Sequence, residues 1–468
     1  MKYLLIQPPG NFIRKTDGET GAKLAVPPLG LLYIASHLRR FGHEVQILDC
    51  QVENFKHEEH VRTFREHKII KYGLSNEEIY RKIDDFQPDI VGISCLQCTR
   101  SPEAHTVAAI TKTVDEHITT VIGGQYGTSL YTEALKDPNV DYCCVGEGEY
   151  PMLSLSDIEE IPYRGLSYMN ASNNIIVFPK ANIIESLDYH KPAWDLIDLK
   201  KYANINLSPN RKTKNKNFAI MITSRGCTHS CEYCPTRNIF GQKWRFRTPD
   251  DIIEEIMMLQ EKYRIQEIQF EDSDLLASKK RMLELCNNLK YLDISWCSPH
   301  GMAVQKLDEE LLDAMAKSGC YALHLSVEFG TESVLERVKP TVNLKHTKNI
   351  VKHAKNLGMD VTIFTMIGHP TETRSMIQNT IDYTTSLEPS APYFFCIQPM
   401  PATPFYDYCK TNDFIVPDFQ WSNLRYSIQN LKVKGLEIGE LEQIRRDAWL
   451  DYMGKGRSDY DFWRFEET

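Results

Sequence analysis

A chain of 468 residues, 42% apolar and 10% aromatic, is too long for a single hydrophobic core and too evenly composed for a disordered or fibrous protein. Its formal net charge of −9 excludes a general electrostatic footprint for nucleic acid, and no apolar run approaches the ~18 residues of a membrane span. Thirteen cysteines, and a start at Met1 to Pro9 that leaves no room for a targeting segment, predict a cytoplasmic protein with metal chemistry and buried thiols rather than disulfides, and hence oxygen sensitivity.

Tyr3 to Ile6 carries a short buried-strand signal that stops at Pro8-Pro9-Gly10, and a helix is expected after that loop. Pro27-Pro28 opens a helix from Leu29 to Phe41, Gly42 caps it, and Glu44 to Asp49 reads as the next strand. A second unit follows the same grammar: strand Asp89 to Ser94, helix Pro102 to Val114, strand Thr120 to Gly124. A last strand, Tyr142 to Val145, runs into Gly146-Glu147-Gly148-Glu149. Strands alternating with helices over residues 1–150 predict an α/β domain with a doubly wound, Rossmann-like parallel sheet, whose ligand sits beyond the carboxyl ends of the strands. Those ends carry Pro9, the run Cys95-Leu96-Gln97-Cys98-Thr99, then Gly123, Gly124 and Tyr126, then Gly146 and Glu147. The glycines let backbone approach a ligand closely, although tight turns explain them as well. These residues alone would suit any nucleotide-like ligand.

Residues 151–217, with Pro162, Gly165, Pro179, Pro192 and few periodic runs, read as an interdomain linker, and Arg211 to Lys216 as a solvated part of it. Phe218 to Thr223 is then a strand leading into Ser224-Arg225-Gly226-Cys227-Thr228-His229-Ser230-Cys231-Glu232-Tyr233-Cys234-Pro235. Its three thiols stand at Cys-x3-Cys-x2-Cys. A structural zinc site closes with four ligands and an ordinary four-iron cluster takes four thiolates, so a tight group of three leaves one metal position open. A zinc knuckle would need a fourth ligand, and His229 lies awkwardly inside the triad; three unrelated buried thiols is the other alternative.

Thr248-Pro249-Asp250-Asp251 opens an amphipathic helix with Ile252, Ile256, Leu259 and Tyr263 on one face, followed by the strand Glu267 to Phe270. Strands Ile294 to Cys297, Ala322 to Val327, Val361 to Met366 and Tyr393 to Ile397 come next, with helices Asp308 to Lys317, Leu344 to Leu357 and Arg374 to Leu387 among them. Six strands over 218–400 predict a partial (β/α)6 TIM-type barrel with chemistry at the strand carboxyl ends. There lie Glu271, Asp272, Ser273 and Asp274; Ser298 and His300; Ser326, Glu328 and Gly330; Gly368, His369 and Pro370; and Gln398. Residues 401–468 read as a small helical cap: Leu441, Ile444 and Ala448 recur at helical spacing among Trp421, Trp449, Tyr452, Tyr460, Phe462, Trp463 and Phe465. Cys95 and Cys98 have no second pair nearby for zinc, and Cys50, Cys143, Cys144, Cys286, Cys297, Cys320, Cys396 and Cys409 read as small core residues.

The cysteine spacing, with Tyr233 just before the last thiol, resembles the radical S-adenosylmethionine (SAM) family. The resemblance implies that Cys227, Cys231 and Cys234 hold a 4Fe-4S cluster and carry catalysis, with SAM chelating the open iron. Cleavage of SAM, by an electron from an external donor of flavodoxin or ferredoxin type, would release a 5′-deoxyadenosyl radical. Carried over by position, the resemblance puts Tyr233 beside the cluster, Glu271 or Asp272 at the SAM ammonium, Ser326 and Glu328 at its methionine and ribose groups, and Gly368 to Pro370 at adenine. For each, helix capping remains the alternative, and His300 and His369 are either acid–base groups or simply satisfied by hydrogen bonds.

The N-terminal segments ahead of such a core resemble the cobalamin-binding domain of the cobalamin-dependent radical SAM enzymes. This implies cobalamin at Pro9, Gln97, Cys98, Thr99, Gly123, Gly124, Tyr126, Gly146 and Glu147, with Gln97 and Cys98 nearest the cobalt. The Asp-x-His-x-x-Gly loop that supplies a lower axial histidine elsewhere is absent from the first half; its near match, Asp188-Tyr189-His190-Lys191-Pro192-Ala193, reads as linker. Pro192-Ala193-Trp194-Asp195 is a phrase that relatives share. The implied function is methylation of an unactivated sp3 carbon in a small-molecule or peptide or protein substrate, one SAM methylating cobalamin and a second giving the radical. Two alternatives stay open: cyclisation, ring contraction or oxygenation with the same cofactors, or a corrinoid-binding iron–sulfur electron carrier.

Overall fold

The computed structural model describes residues 1–15, 23–156, 164–179, 181, 183–188, 190–203, 205, 213–338 and 342–454. The chain forms two compact units, one of Met1–Asn206 with Asn238–Phe240 and Trp421–Asn423, the other of Leu207–Arg237, Gly241–Gln420 and Leu424–Thr468.

In the first unit, β1 (Lys2–Gln7), β3 (Glu44–Asp49), β6 (Ile90–Ser94), β7 (Thr119–Gly123) and β8 (Tyr142–Cys144) are parallel in the order β3-β1-β6-β7-β8. Strand order reverses at β1, and the β1–β6 crevice is where a doubly wound sheet takes its ligand. Tyr3, Leu5, Val45 and Val121 pack on Leu31, Ala35 and Leu38 of helix Leu29–Arg40.

Two features depart from the sequence reading. The loop Pro8-Pro9 leads not into a helix but into β2 (Gly10–Lys15), which joins β4 (Glu58–Phe64) and β5 (His67–Tyr72) in an antiparallel sheet ordered β2-β5-β4. Residues 151–217 are not only a linker: β9 (Leu166–Met169) extends the main sheet antiparallel to β8, and β10 (Ile175–Val177) adds to it antiparallel to β9. The stretch around Pro192 also packs on this unit, because Ala193 N–H donates to Leu32 O, Arg39 pairs with Asp195, and Tyr202 Oη donates to Asp49 Oδ2 at 2.8 Å. His190 is buried, its Nε2 3.2 Å from Glu149 Oε1 and its ring stacked on Tyr33. Pro162, Tyr189, Arg211, Lys212, Tyr460, Phe462, Trp463 and Phe465, singled out above, lie outside the described residues.

In the second unit six parallel strands run in sequence order: β11 (Phe218–Met221), β14 (Glu267–Phe270), β15 (Ser295–Cys297), β17 (Cys320–Glu328), β18 (Asp360–Ile367) and β19 (Ala391–Cys396). Three short strands accompany them: β12 (Ser224–Arg225) pairs with β13 (Arg245–Phe246), and β16 (Met302–Ala303) pairs with β17. Thr248 caps helix Pro249–Tyr263 by accepting from Asp251 N–H, and Ile252, Ile256 and Leu259 are its buried face. Helix Glu440–Met453 lays Leu441 and Ala448 against Ile367, Phe394 and Cys396, on the outer face of β18 and β19. No helix among the described residues is long and apolar enough to cross a membrane.

Candidate active site

The cysteine loop begins where β12 and β13 hold the chain in a tight bend. Gly226 has φ +92°, and a Cβ there would stand 2.3 Å from Lys243 O, so only glycine fits. Beyond it Cys227, Cys231, Tyr233 and Cys234 line a single cleft of about 170 Å³ with Asp272, Asp274, Ser298, Ser326 and Glu328. Burial pushes the Cys227 thiol up to about 11 and the Cys231 thiol up to about 12. Bound iron would therefore have to displace those protons, as metals do at thiolate sites. Among the described residues no three His, Cys, Asp or Glu side chains are gathered for one metal ion. A four-iron cluster takes each thiolate on a different iron, and three soft donors on one loop facing one cleft suit it.

The acidic end of β14 has two roles that the sequence alone ran together. Asp272 is buried and accepts from Thr223 N–H at 3.1 Å, Thr223 Oγ1 at 2.8 Å and Ser224 Oγ at 2.5 Å, which ties down the approach to the loop. Asp274 accepts from Thr228 Oγ1 at 2.7 Å and Thr228 N–H at 3.3 Å, between the first two cysteines. Trp244 Nε1 donates to Asp274 O, and His229 Nε2 lies 3.9 Å from its carboxylate. The sequence places Asp274 at this strand end but does not reveal that it anchors Thr228. Supporting partners of this kind change metal affinity about 10–100-fold. Asp274→Asn is thus expected to lose iron to a chelator about tenfold faster than the wild type, while Thr228→Ser, which keeps the hydroxyl, does not.

Glu328 ends β17 after a register shift and has φ +68°, a left-handed conformation that costs a non-glycine residue energy and is found where structure imposes it. Burial pushes its carboxyl up to about 7, with the nearby Tyr233 hydroxyl opposing the rise. Glu271 instead pairs with His300 at the strand ends. Gly368 and Pro370 are not among the residues lining the cleft. Gly368, with φ +89°, is packed so that a Cβ would meet Leu441 at 2.2 Å, and the His369 ring lies against Phe405 and Tyr408.

That loop is held by Glu372, whose Oε2 accepts from Gly368 N–H at 2.8 Å and His369 N–H at 2.7 Å, while burial pushes its pKa from 4.5 to about 7. The folded state holds this proton more tightly than the unfolded chain. Its contribution is therefore complete below about pH 4.5 and is lost as pH rises through about 7, by roughly 3 kcal/mol. Glu372→Gln should accordingly show a smaller fall in melting temperature between pH 5 and 8 than the wild type.

In the first unit the strand ends lock to one another. Cys95 N–H donates to Gly123 O and Tyr126 N–H to Cys95 O, both at 3.0 Å. Gly124, φ +81°, brings the two loops so close that a Cβ would lie 2.7 Å from Cys95 O. Pro9, Cys98, Thr99 and Glu147 are buried, and Gly146, φ +94°, donates its N–H to Thr128 Oγ1 at 3.1 Å. Tyr126 Oη lies 3.0 Å from His105 Nε2, and His105 Nδ1 2.6 Å from Asp137 Oδ2, a link between neighbouring helices that sequence reading missed. Gln97 is exposed, and beside it Leu96 is 57% exposed at the end of β6. An apolar side chain next to an amide, both presented at the sheet's ligand edge, suits the flat, amide-fringed body of a corrin.

A model of the radical SAM superfamily matches residues 221–384, and one of the B12 binding domain matches residues 20–156. Over 446 residues the chain is 30% identical to the cytidylyl-2-hydroxyethylphosphonate methyltransferase of Streptomyces wedmorensis, covering 88% of this chain and 83% of that protein. It is 24% identical over 472 residues to the anaerobic magnesium-protoporphyrin IX monomethyl ester cyclase of Rubrivivax gelatinosus, covering 97% and 79%. Its fold is similar to that of the radical SAM methyltransferase TsrM from Kitasatospora setae, solved with cobalamin and a 4Fe-4S cluster bound. The TM-score is 0.68 at 14% identity, over 97% of this chain and 88% of that one.

Proposed function

This chain belongs to the cobalamin-dependent radical SAM methyltransferases, with SAM, a 4Fe-4S cluster and cobalamin as cofactors, and from that premise we propose that it methylates an unactivated sp3 carbon of a small molecule or peptide. The observation that carries the reading is that Cys227, Cys231 and Cys234 line one cleft with Ser326 and Glu328. When bound, the cluster and SAM supply a carbon radical able to abstract hydrogen, and cobalamin supplies a transferable methyl group.

The chain's own part is to bind, orient and exclude water. The three thiols would hold three irons and leave the fourth to SAM, and Asp274 keeps their loop in place through Thr228. Ser326 and Glu328 would bind the polar groups of SAM, with Glu328 lining the cleft from a left-handed backbone. Leu275, Leu276, Met302 and Val342 give the cleft an apolar lining that keeps water from the radical. In the first unit Leu96 and Gln97 would hold the corrin together with the locked loops at Cys95, Cys98, Thr99, Gly123, Gly124 and Tyr126 and with Pro9, Gly146 and Glu147. Thirteen free cysteines fit a reducing cytoplasm, with an electron donor of flavodoxin or ferredoxin type.

The test is anaerobic turnover with methyl-labelled SAM and reductant. The reading requires 5′-deoxyadenosine together with a product heavier by one methylene that carries the label. Release of 5′-deoxyadenosine without label transfer sinks it. A product without that gain in mass would favour the second reading, a radical ring closure, for which the identity with a cyclase over nearly the whole chain speaks.

A further inference from the structure

Ile367, Phe394 and Cys396 pack against helix residues Ile377, Ile381 and Leu441, so that face of β18 and β19 is the outer one. Side chains alternate along a strand, which turns Phe364, Tyr393 and Phe395 to the barrel interior. There they form a continuous ring surface. Phe364 stacks with His324 at 5.9 Å between centroids, meets Tyr393 at 5.7 Å and Phe395 at 5.6 Å, and Phe395 meets Tyr426 at 5.2 Å. Tyr426 is 55% exposed, and its carbonyl accepts from Cys396 N–H, so it covers β19, the last strand of the incomplete barrel, from solvent.

This wall continues from the cleft that holds the cysteines. Phe364 pairs in register with Ser326, a cleft residue, and a Cβ on the cleft residue Gly301 would stand 3.1 Å from the Phe364 ring. The same interior face also carries an unused acceptor. Gln269 pairs with Cys297, Cys297 with Ala322, and Ala322 with Asp360, so in register Gln269 stands four residues below Phe364 on that face. Gln269 is fully buried, and its Oε1 has no hydrogen-bond partner among the described residues, while its Nε2 donates to Glu267. A buried acceptor left open in this way awaits a donor.

We propose that Phe364, Tyr393, Phe395 and Tyr426 form a stacking platform for the substrate, which presents a flat aromatic ring bearing a hydrogen-bond donor for Gln269. One ring follows another from the cleft to the surface. Rings stack on rings through dispersion and quadrupole terms that a saturated body of equal volume does not match. The proposal rests on the function proposed above, because it takes the cleft as the site of reaction.

The test uses reconstituted holoenzyme without reductant and two neutral probes of one shape, 2-naphthol and decahydro-2-naphthol. Naphthol fluorescence reports its binding, and competition reports that of the saturated alcohol. The expected result is about tenfold tighter binding of 2-naphthol, abolished as a preference in Phe364→Leu and Phe395→Leu, with Gln269→Leu weakening 2-naphthol but not naphthalene. Equal binding of the two alcohols, naphthol binding unmoved by the ring variants, or no saturable binding of either overturns the proposal. Variants are compared at matched iron and cobalamin content, and Tyr426→Ala, at the surface, answers if a buried variant fails to fold. Binding is read without SAM cleavage, so a chain that failed to transfer methyl groups would still answer this test.

Discussion

Cys231→Ala is expected to give a protein that keeps cobalamin and loses its cluster: iron falls from about four per chain toward none, and formation of 5′-deoxyadenosine drops by at least about a thousandfold. Three thiolates are the fewest that can hold three irons while leaving the fourth for SAM, and two cannot. Cobalamin should stay because the B12 binding match, residues 20–156, lies outside the unit that holds the cysteines. Iron and cobalt per chain, measured on anaerobically reconstituted protein beside the SAM cleavage rate, check both halves of the expectation. A variant that retained four irons and cleaved SAM would mean that another side chain takes over, and His229, within the same loop, would be the one to replace next.

Arg247→Met is expected to destabilise the second unit by about 3–5 kcal/mol. The Arg247 side chain is buried, with its Nε 2.6 Å from Asp251 Oδ2 and Nη1 2.5 Å from Glu255 Oε2, both carboxylates also buried. Removing the guanidinium leaves two carboxylates facing each other without solvent. The cost is that of two buried, unpaired charges rather than of a lost attraction, so the triple variant Arg247→Met, Asp251→Asn, Glu255→Gln should recover most of it. The effect should reach the cluster as well. Arg247 N–H donates to Thr223 O, and Arg281 donates to both Thr223 O and Arg247 O, so the triad stands directly behind the cysteine loop. Urea unfolding with and without the cluster reads the first effect, and iron retention the second. A single variant as stable as wild type would show that the triad is dispensable.

What could be read from the sequence was what a few neighbouring residues decide. The spacing of Cys227, Cys231 and Cys234 states its own chemistry, and the cap at Thr248 and the turn glycines at Gly42 and Gly319 mark their helices. The antiparallel β2-β5-β4 sheet escaped notice because β4, Glu58 to Phe64, is mostly polar and exposed and shows no alternation. The helix Asn76–Phe86 was also passed over, although Ser75 and Glu78 form a capping box ahead of Ile79, Ile83 and Phe86 and would have revealed it.

The sequence by itself determined that three thiols stand ready for a cluster with an open iron, and that a parallel sheet precedes a six-stranded barrel, because ligand spacing and helix and strand periodicity are local properties. Only the tertiary structure separated acids that look alike on one strand end. Asp272 is consumed by Thr223 and Ser224, Asp274 by Thr228, and Glu328, far along the chain, faces the cleft. Hydrogen-bond partners fifty residues apart leave no local trace, and neither does the row of rings from Phe364 to Tyr426, which exists only once β18 and β19 lie side by side in register.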